Sequence, residues 1–244
     1  MHVLAEQEIL HIWEAGVGQS PVDRALTILA AGFPEMSHDE LAMLSIGQRD
    51  ERLLALQQKN FGPELTGQGI CPSCQEQAIF SLNIADVLAV PQTKSTEQAE
   101  LVNDEGYKLL FRLPNSLDLA AVACCSNIDT ARRTLVQRCV SQTSQNGMEV
   151  SVEKLPEAVV VRLAERMAER DPLADIELEI VCPTCGHRWQ VMLDIVTFFW
   201  AEIGAQAKRL FREVHTLAQA YGWREADILS MNATRRQLYL EMVE

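Results

Sequence analysis

Two short cysteine motifs constrain the fold of this chain more than any other feature of its sequence. They read Cys71-Pro-Ser-Cys74 and Cys182-Pro-Thr-Cys185, and an apolar residue precedes each motif. An alternating apolar stretch follows each one, so the two segments form a weak internal repeat of a cysteine knuckle and a strand. Together the knuckles supply four thiolates, which is the ligand set of a closed tetrahedral zinc site.

The four cysteines predict a structural zinc site that joins two distant parts of the chain, as in a zinc ribbon built from two hairpin-borne knuckles. The gap between the two motifs is longer than in an ordinary zinc ribbon. Three alternatives stay open: a remnant of such a site that now only packs, a redox dithiol and an iron–sulfur cluster. A redox dithiol should lie at a helix N-terminus, whereas both knuckles lie between predicted extended segments. His187 could replace a cysteine as a ligand, but four thiolates already suffice, so it is predicted to lie beside the site or on the surface.

The composition argues against several functions. The chain has 244 residues and a net charge of −13, and it has no strong basic stripe. Nucleic-acid binding without sequence preference depends on Lys and Arg side chains that neutralise phosphates, so it is not expected. The sequence also lacks a Gly-rich phosphate loop, a Gly-x-Ser-x-Gly motif and a His-Glu-x-x-His motif. We therefore expect no enzymatic activity and no small-molecule substrate.

Three further cysteines lie outside the knuckles, at Cys124, Cys125 and Cys139. The N-terminus lacks the pattern of a secretory leader, so we expect these thiols to be reduced. Cys124 and Cys139 are predicted to be small buried apolar residues. No apolar stretch approaches the roughly 18 residues that a membrane span requires. The protein is expected to be soluble and cytoplasmic.

The periodicity of the apolar residues predicts an α+β protein that is mainly helical, with a small antiparallel zinc-ribbon-like β element around the knuckles. Three regions are expected. A helical region covers residues 1–64, a knuckle module covers residues 65–193, and a second helical region covers residues 194–244. The knuckle module is expected to contain an inserted helical segment at about residues 103–171.

Local signals predict where some of these elements begin and end. Ser116 is expected to cap a helix that continues to Ala123. The polar stretch Pro91–Asn103 is predicted to be an exposed loop. The longest helix is predicted over Asp194–Tyr221, with Gly222 as its left-handed cap.

Three consecutive aromatic residues, Phe198, Phe199 and Trp200, lie near the start of this long helix. Successive helix positions diverge by about 100°, so the three rings cannot share one face. Two interpretations stay open: burial on two sides between helices, or contact with another protein, since large aromatic side chains are favoured interface anchors. The dibasic pair Arg235-Arg236 is interpreted as ordinary charge on a helix surface.

Several segments of the chain, each Cys-Pro-x-Cys unit among them, are similar to segments of a known family. In the C-terminal region they are residues 198–203, 213–218, 220–223, 225–229 and 235–240, and further upstream residues 47–50, 53–56, 61–62 and 111–114. On these segments the chain resembles the T4-like baseplate and baseplate-hub assembly proteins of contractile-tailed phages and contractile injection systems.

The resemblance implies a role without enzymatic activity and a location in the cytoplasm or in an assembled phage-tail-like particle. It also implies baseplate or tail proteins as partners, with the protein acting as a part of the baseplate or as a factor needed to build it. In this setting the zinc ion is expected to fix the orientation of the C-terminal helices, which dock on the partner. The candidate partner-binding residues are Phe198, Phe199, Trp200, Tyr221 and Trp223.

Rival functions stay open at this point. One is a zinc-ribbon adaptor that binds nucleic acid or another protein complex, which would need a basic face around the knuckles. Only Arg188 lies close to the second knuckle, and no basic residue lies close to the first. The others are an assembly chaperone that leaves before the particle matures and a redox enzyme.

Overall fold

The computed structural model describes residues 1–89, 99–102 and 106–243. Within these residues α-helices predominate, and the strands form small antiparallel sheets. The predicted mainly helical α+β class is therefore confirmed. The chain divides into two compact units, which we call unit 1 (Met1–Pro34 with Val196–Glu244) and unit 2 (Glu35–Ile195). The three regions predicted from the sequence, with limits at residues 64 and 193, stay a prediction.

The helices and strands have the following limits in the described chain. The helices are α1 (Glu6–Gly16), α2 (Pro21–Gly32), α3 (His38–Met43), α4 (Ile46–Phe61), α5 (Ile84–Leu88), α6 (Ser116–Ala123), α7 (Ile128–Cys139), α8 (Glu157–Arg170), α9 (Ile195–Tyr221), α10 (Glu225–Leu229) and α11 (Ala233–Glu241). The strands are β1 (Glu64–Ile70), β2 (Gln77–Asn83), β3 (Ala99–Val102), β4 (Tyr107–Phe111), β5 (Val140–Gln145), β6 (Met148–Glu149), β7 (Glu177–Val181) and β8 (Arg188–Met192).

Unit 1 is built from helices α1, α2, α10, α11 and nearly all of α9. Its core contains Leu10 of α1 together with Ala207 and Leu210 of α9. Trp13, one turn beyond Leu10, packs edge-on against the Phe211 ring at a centroid distance of 5.6 Å. Residues three and four positions apart share one face of a helix, so α1 and α9 bury matching apolar stripes.

The long helix α9 ends as the sequence predicts. Gly222 adopts a positive φ of 68°, and its N–H donates to the carbonyl of Ala218 at 2.8 Å. Glycine has no Cβ to clash in this left-handed conformation, so it closes the last helical turn at low cost.

Unit 2 contains a four-stranded antiparallel sheet in the order β3-β4-β5-β6. Leu109 and Phe111 of β4 are fully buried on one face of this sheet. Val159 and Leu163 of α8 belong to the same buried cluster, and their spacing of four residues places them on one face of the helix. The segment between the two cysteine motifs therefore has its own core.

Two local predictions need correction. The cap of α6 is Asn115 rather than Ser116, since the Asn115 side chain accepts a hydrogen bond from the Asp118 N–H at 3.2 Å. Within the predicted loop Pro91–Asn103, residues 99–102 form an edge strand paired with β4, because their alternating pattern continues that sheet. The rest of the predicted loop lies outside the described residues. Among the described helices, none is long and apolar enough to cross a membrane.

Candidate metal centre

Each cysteine knuckle forms the loop of a two-stranded antiparallel hairpin. In the first hairpin Ile70 of β1 pairs with Gln77 of β2, and in the second Val181 of β7 pairs with Arg188 of β8. Each pair encloses a loop of the same length that begins with the first cysteine of the motif. Both knuckles therefore lie between extended segments, as predicted.

The backbone closes both loops in the same way. The Cys71 N–H donates to the Glu76 carbonyl at 2.9 Å, and the Cys182 N–H donates to the His187 carbonyl at 2.8 Å. These bonds satisfy backbone groups that a tight loop would otherwise leave unpaired. They also fix the first cysteine of each motif on the end of its strand.

A left-handed residue follows the second cysteine in each loop. Gln75 has a φ of 62° and Gly186 has a φ of 73°. The N–H of each donates to the carbonyl of the first cysteine, Cys71 or Cys182, at 2.9 Å. The two knuckles are therefore copies of one local structure, and the repeat seen in the sequence is a structural repeat.

The two hairpins bring the four thiols together. All four Sγ atoms lie within 4.8 Å of one another. Between the hairpins, Cys71 Sγ lies 3.7 Å from Cys185 Sγ, and Cys74 Sγ lies 3.6 Å from Cys182 Sγ. With metal–sulfur bonds of about 2.3 Å, the sulfurs of a tetrahedral zinc site lie about 3.8 Å apart. The four cysteines therefore have the dimensions of a tetrahedral site and could hold one metal ion.

The four thiols differ in exposure. Cys71 and Cys182 are buried, Cys74 is half-buried and Cys185 is exposed. In each knuckle the first cysteine thus faces inward and the second lies toward solvent.

Hydrogen bonds give the thiols different proton affinities. A bond from the Cys185 backbone N–H, supported by one from Thr184, outweighs desolvation and lowers the pKa of Cys182 to about 6. For Cys74, a bond from the Glu76 backbone N–H lowers the pKa, but desolvation and bonds with the other three thiols raise it to about 12. The thiolate is the form of a cysteine that binds metal.

Asp171 supports the second hairpin from outside the knuckle. It follows α8 directly and precedes the 3-10 turn Pro172–Ala174, which leads to β7. Its carboxylate accepts a hydrogen bond from the Gly47 N–H in the first turn of α4 at 2.9 Å. Burial raises the pKa of Asp171 above its ordinary value, against the bonds from Gly47 and Ser45. Because α4 leads directly into β1, this contact anchors both hairpins to one helix.

Glycine is required where Asp171 meets α4. A Cβ on Gly47 would lie 2.0 Å from Asp171 Oδ1, far closer than two atoms can approach. In the sequence Asp171 is recognisable only as a helix end before proline, and Gly47 only as an interruption of a helical pattern. The contact joins residues 124 positions apart, so no local signal reveals it.

Trp189 of the second hairpin lies close to the first hairpin. A Cβ on Gly69 of β1 would lie 3.8 Å from the Trp189 ring of β8, so the hairpins approach each other there. His187 is exposed and stacks near Trp189 at a centroid distance of 6.3 Å. Among the described residues, the group that could hold a metal ion consists of the four cysteines, and His187 is not part of it. Arg188 pairs with Glu179 at 2.7 Å.

The predicted partner-binding residues of α9 have different surroundings. Phe199 is fully buried, whereas Phe198 and Trp200 are half-buried. The Trp200 ring packs on Gly16, where a Cβ would lie 2.3 Å from its Cη2 atom. The Arg24 guanidinium lies over the same ring, 4.6 Å from its centroid. Phe199 therefore offers no exposed surface to a partner, and Trp200 contributes to contacts within unit 1.

Tyr221 and Trp223 belong to an aromatic cluster near the end of unit 1. Their rings stack at a centroid distance of 4.4 Å. Tyr239 of α11 contacts both rings edge-on, at 5.6 Å from Tyr221 and 4.8 Å from Trp223. Tyr239 was not among the predicted site residues, because the register of α11 against Trp223 cannot be read from the sequence.

The cysteines outside the knuckles include one wrong prediction. Cys139 is buried as predicted, and burial raises the pKa of its thiol to about 12. Cys124 is exposed at the C-terminal cap of α6, so the prediction that it is buried is wrong. Cys125 is half-buried.

Arg236 is not ordinary surface charge, which corrects the interpretation of the dibasic pair. It is the largest fully buried side chain in the described chain. Its guanidinium donates to Glu6 Oε1 at 2.5 Å, to Glu213 Oε2 at 3.0 Å and to the Met231 carbonyl at 2.6 Å. A buried Arg is tolerated because both carboxylates and a carbonyl satisfy its donors.

Comparison with known protein families gives a match over most of the chain. Residues 6–200 match the family described as T4 bacteriophage base plate protein. No curated protein and no solved structure matches the chain. The matched range includes both knuckles and ends at Trp200, so most of the C-terminal segments that resemble the family lie beyond it. Since the match spans well over half of the 244 residues, the chain belongs to the T4 bacteriophage base plate protein family.

Proposed function

We propose that this protein is a non-enzymatic component or assembly factor of a contractile phage tail or injection-system baseplate. We further propose that unit 2 is stabilised by one structural zinc ion bound by the four knuckle cysteines. Membership of the family supports a role in the phage baseplate. The observation that carries the metal proposal is the cluster of four thiols within 4.8 Å of one another, on two hairpins of the same local structure.

Zinc suits this ligand set better than other common ions do. Magnesium and calcium prefer oxygen ligands, whereas thiolates select zinc, copper(I) and iron–sulfur clusters. Short Cys-x-x-Cys hairpins on both sides of one ion are a recurrent way to bind structural zinc. An iron–sulfur cluster uses the same four thiolates and is the alternative occupant.

A site of four thiolates is proposed to be structural rather than catalytic. Catalytic zinc keeps one coordination position for water or substrate, and four cysteine ligands occupy all positions of a tetrahedral ion. In a structural site the free energy of metal binding contributes directly to folding. The proposed role of the ion is therefore to hold together two hairpins that are more than 100 residues apart.

The partner-binding surface is proposed to lie on unit 1. Tyr221 is exposed and stacks on Trp223, and aromatic rings with rigid geometry are favoured interface anchors. Tyr239 extends this cluster, and Phe198 and Trp200 remain candidates at the start of α9. Phe199 is omitted because its side chain is fully buried. The proposed partners are other baseplate or tail proteins.

Elemental analysis and thiol titration of protein purified without added metal test the metal proposal. We expect one zinc per chain and four thiols that react only after chelation. Iron with visible absorbance would assign an iron–sulfur cluster instead. Absence of metal together with freely reactive knuckle thiols would refute the structural site and favour redox chemistry.

Particle composition distinguishes a component from an assembly factor. Quantitative mass spectrometry of purified particles should find the protein in stoichiometric copies if it is a component and should not find it if it acts only during assembly. Trp223→Ala should reduce co-purification with baseplate proteins. Met148→Ala, which changes an exposed apolar side chain of unit 2, is the matched control and should leave co-purification unchanged.

A further inference from the structure

Each thiol of the cluster has a thiol of the opposite hairpin as a close neighbour. Cys71 Sγ and Cys185 Sγ are 3.7 Å apart, and Cys74 Sγ and Cys182 Sγ are 3.6 Å apart. The first pair joins residues 114 positions apart and the second joins residues 108 positions apart. A bond in either pair would therefore connect the same two hairpins that a metal ion would connect.

Exposure divides each of these pairs into an accessible and a protected thiol. Cys185 is exposed and its neighbour Cys71 is buried. Cys74 is half-buried and its neighbour Cys182 is buried. An oxidant from solvent reaches the accessible thiol first, and the protected thiol of the other hairpin is placed to react with the product.

We propose that the knuckle cluster is a site of reversible oxidation that forms disulfides between the hairpins, Cys71 with Cys185 and Cys74 with Cys182. In the metal-bound protein this inference rests on the proposed zinc site, since oxidation of two ligands would release the ion. In the metal-free protein it rests on the sulfur positions alone. Oxidation then replaces the metal link by a covalent link and keeps the two hairpins joined.

Hydrogen peroxide oxidises the pair Cys185 and Cys71 in two steps. The Cys185 thiolate attacks one peroxide oxygen, a sulfur–oxygen bond forms, the oxygen–oxygen bond breaks and the departing hydroxide takes up a proton. Cys71 then attacks the Cys185 sulfur, a sulfur–sulfur bond forms, the sulfur–oxygen bond breaks and a second hydroxide leaves as water. Two thiols lose two electrons and two protons, and one peroxide becomes two waters. Excess dithiol reverses the bond by exchange.

The distinguishing feature is the pairing of the cysteines. A bond inside one knuckle, Cys71 with Cys74 or Cys182 with Cys185, would leave the hairpins unconnected. A bond between the knuckles retains the connection after the metal is lost. Only the second outcome makes the cluster a link that survives a change from a reducing to an oxidising environment.

Peptide mapping after oxidation tests the proposal. Folded protein, both as purified and after chelation, is treated with stoichiometric hydrogen peroxide, alkylated and digested without reductant. We expect peptides that contain Cys71 linked to Cys185 and peptides that contain Cys74 linked to Cys182, all lost after reduction. Bonds within a knuckle, bonds between chains, or sulfinic and sulfonic acids without disulfides would overturn the proposal.

Two variants complete the experiment. Cys185→Ser should abolish the link to Cys71 and retain the link between Cys74 and Cys182, whereas Cys124→Ser changes an exposed thiol outside the cluster and should leave both links unchanged. Zinc measured by elemental analysis before and after peroxide is the separate readout of the metal proposal. Purified protein without metal but with links between the hairpins would refute the zinc site and support the disulfides, and bound zinc with links inside the knuckles would do the reverse.

Discussion

The two units of this protein connect distant segments in different ways. In unit 2 the connection is a cluster of four thiols from two hairpins, whose paired cysteines are 108 and 114 positions apart. In unit 1 it is a single long side chain, Arg236, which reaches Glu6 across 230 positions and Glu213 across 23. The first connection is presented by rigid loops, whereas the second depends on one guanidinium held between helices α1, α9 and α11.

The difference has an energetic consequence. A thiolate cluster is stabilising only when a metal or a disulfide holds it, because four clustered negative charges repel one another. A buried ion cluster stabilises little compared with apolar side chains of the same shape, although removing one member is costly. Unit 2 should therefore depend on a ligand, and unit 1 should tolerate replacement of its whole ion cluster. The following predictions are ordered from the largest expected effect to the smallest.

Loss of a knuckle cysteine should have the largest effect. Cys182→Ser should abolish stoichiometric metal binding and lower the free energy of unfolding by about 4 kcal/mol or more, because structural zinc contributes on the order of 10 kcal/mol of binding free energy in small domains. Metal content and thermal unfolding, measured together, check it. Cys124→Ser is the control, and a Cys182→Ser protein that melts like the natural chain would show that the cluster does not stabilise unit 2.

Loss of the buried arginine should have the next largest effect, confined to unit 1. Arg236→Met removes the buried partner of Glu6 and Glu213, of which Glu213 keeps its contact with Arg209 at 3.5 Å, and should destabilise unit 1 by about 3 kcal/mol. Hydrogen exchange should accelerate in α1 and α11, while metal content stays unchanged. Combining Arg236→Met with Glu6→Gln and Glu213→Gln should recover much of the loss, since no uncompensated charge remains. Equal instability of the single and triple variants would refute this account.

Substitution of one tightly packed glycine in each unit should affect that unit alone. Gly47→Ala places a methyl group 2.0 Å from Asp171 Oδ1 and should destabilise unit 2 and weaken metal binding, whereas Gly16→Ala meets the Trp200 ring at 2.3 Å and should affect unit 1 alone. Forcing such contacts costs about 1–3 kcal/mol. Gly18→Ala, where a Cβ meets no atom within 4 Å, is the control. The glycine comparison fails if Gly16→Ala reduces metal affinity as much as Gly47→Ala does.

Unit 2 also contains a buried ion cluster. Here one carboxylate lies between two arginines, whereas in unit 1 one arginine lies between two carboxylates. The Asp118 carboxylate is fully buried and accepts hydrogen bonds from Arg112 at 2.5 and 2.9 Å and from Arg138 at 2.8 Å. Burial opposes ionisation of Asp118, but the bonds from Arg112, the Asn115 N–H and Arg138 outweigh it and lower its pKa.

A lowered pKa means that the folded state binds fewer protons than the unfolded state. The contribution of Asp118 is therefore present above the unfolded pKa of about 3.9 and is lost as the pH falls through the lowered folded value. Asp171 should act in the opposite sense, since its pKa is raised in the folded state. Its contribution to the free energy of unfolding is present at low pH and is lost as the pH rises through the raised folded pKa. Urea unfolding between pH 3 and pH 6 measures the free energy of unfolding as a function of pH. This free energy should fall less steeply toward acid pH for Asp118→Asn than for the natural chain. Identical slopes would exclude this role of Asp118.

Much of the fold could be predicted because its signals are local. The two knuckles, the Gly222 cap and the limits of α9 follow from residues that are neighbours in sequence. The meeting of the four thiols could also be predicted, although less directly. Each hairpin supplies two thiols, and a tetrahedral site of four thiolates requires both hairpins. The error at Ser116 has the same local origin, because Asn115 is an equally good cap one position earlier.

What the sequence by itself determined is the chemistry of the cysteines and the periodicity of the helices, both of which act over a few residues. Only the tertiary structure decided which charges are buried and which aromatic rings meet. Arg236 looks like any helix-surface arginine until α1 and α9 place Glu6 and Glu213 beside it. Asp171 looks like a helix end until α4 presents the Gly47 N–H. Such contacts depend on distances between elements, and a linear pattern does not encode those distances.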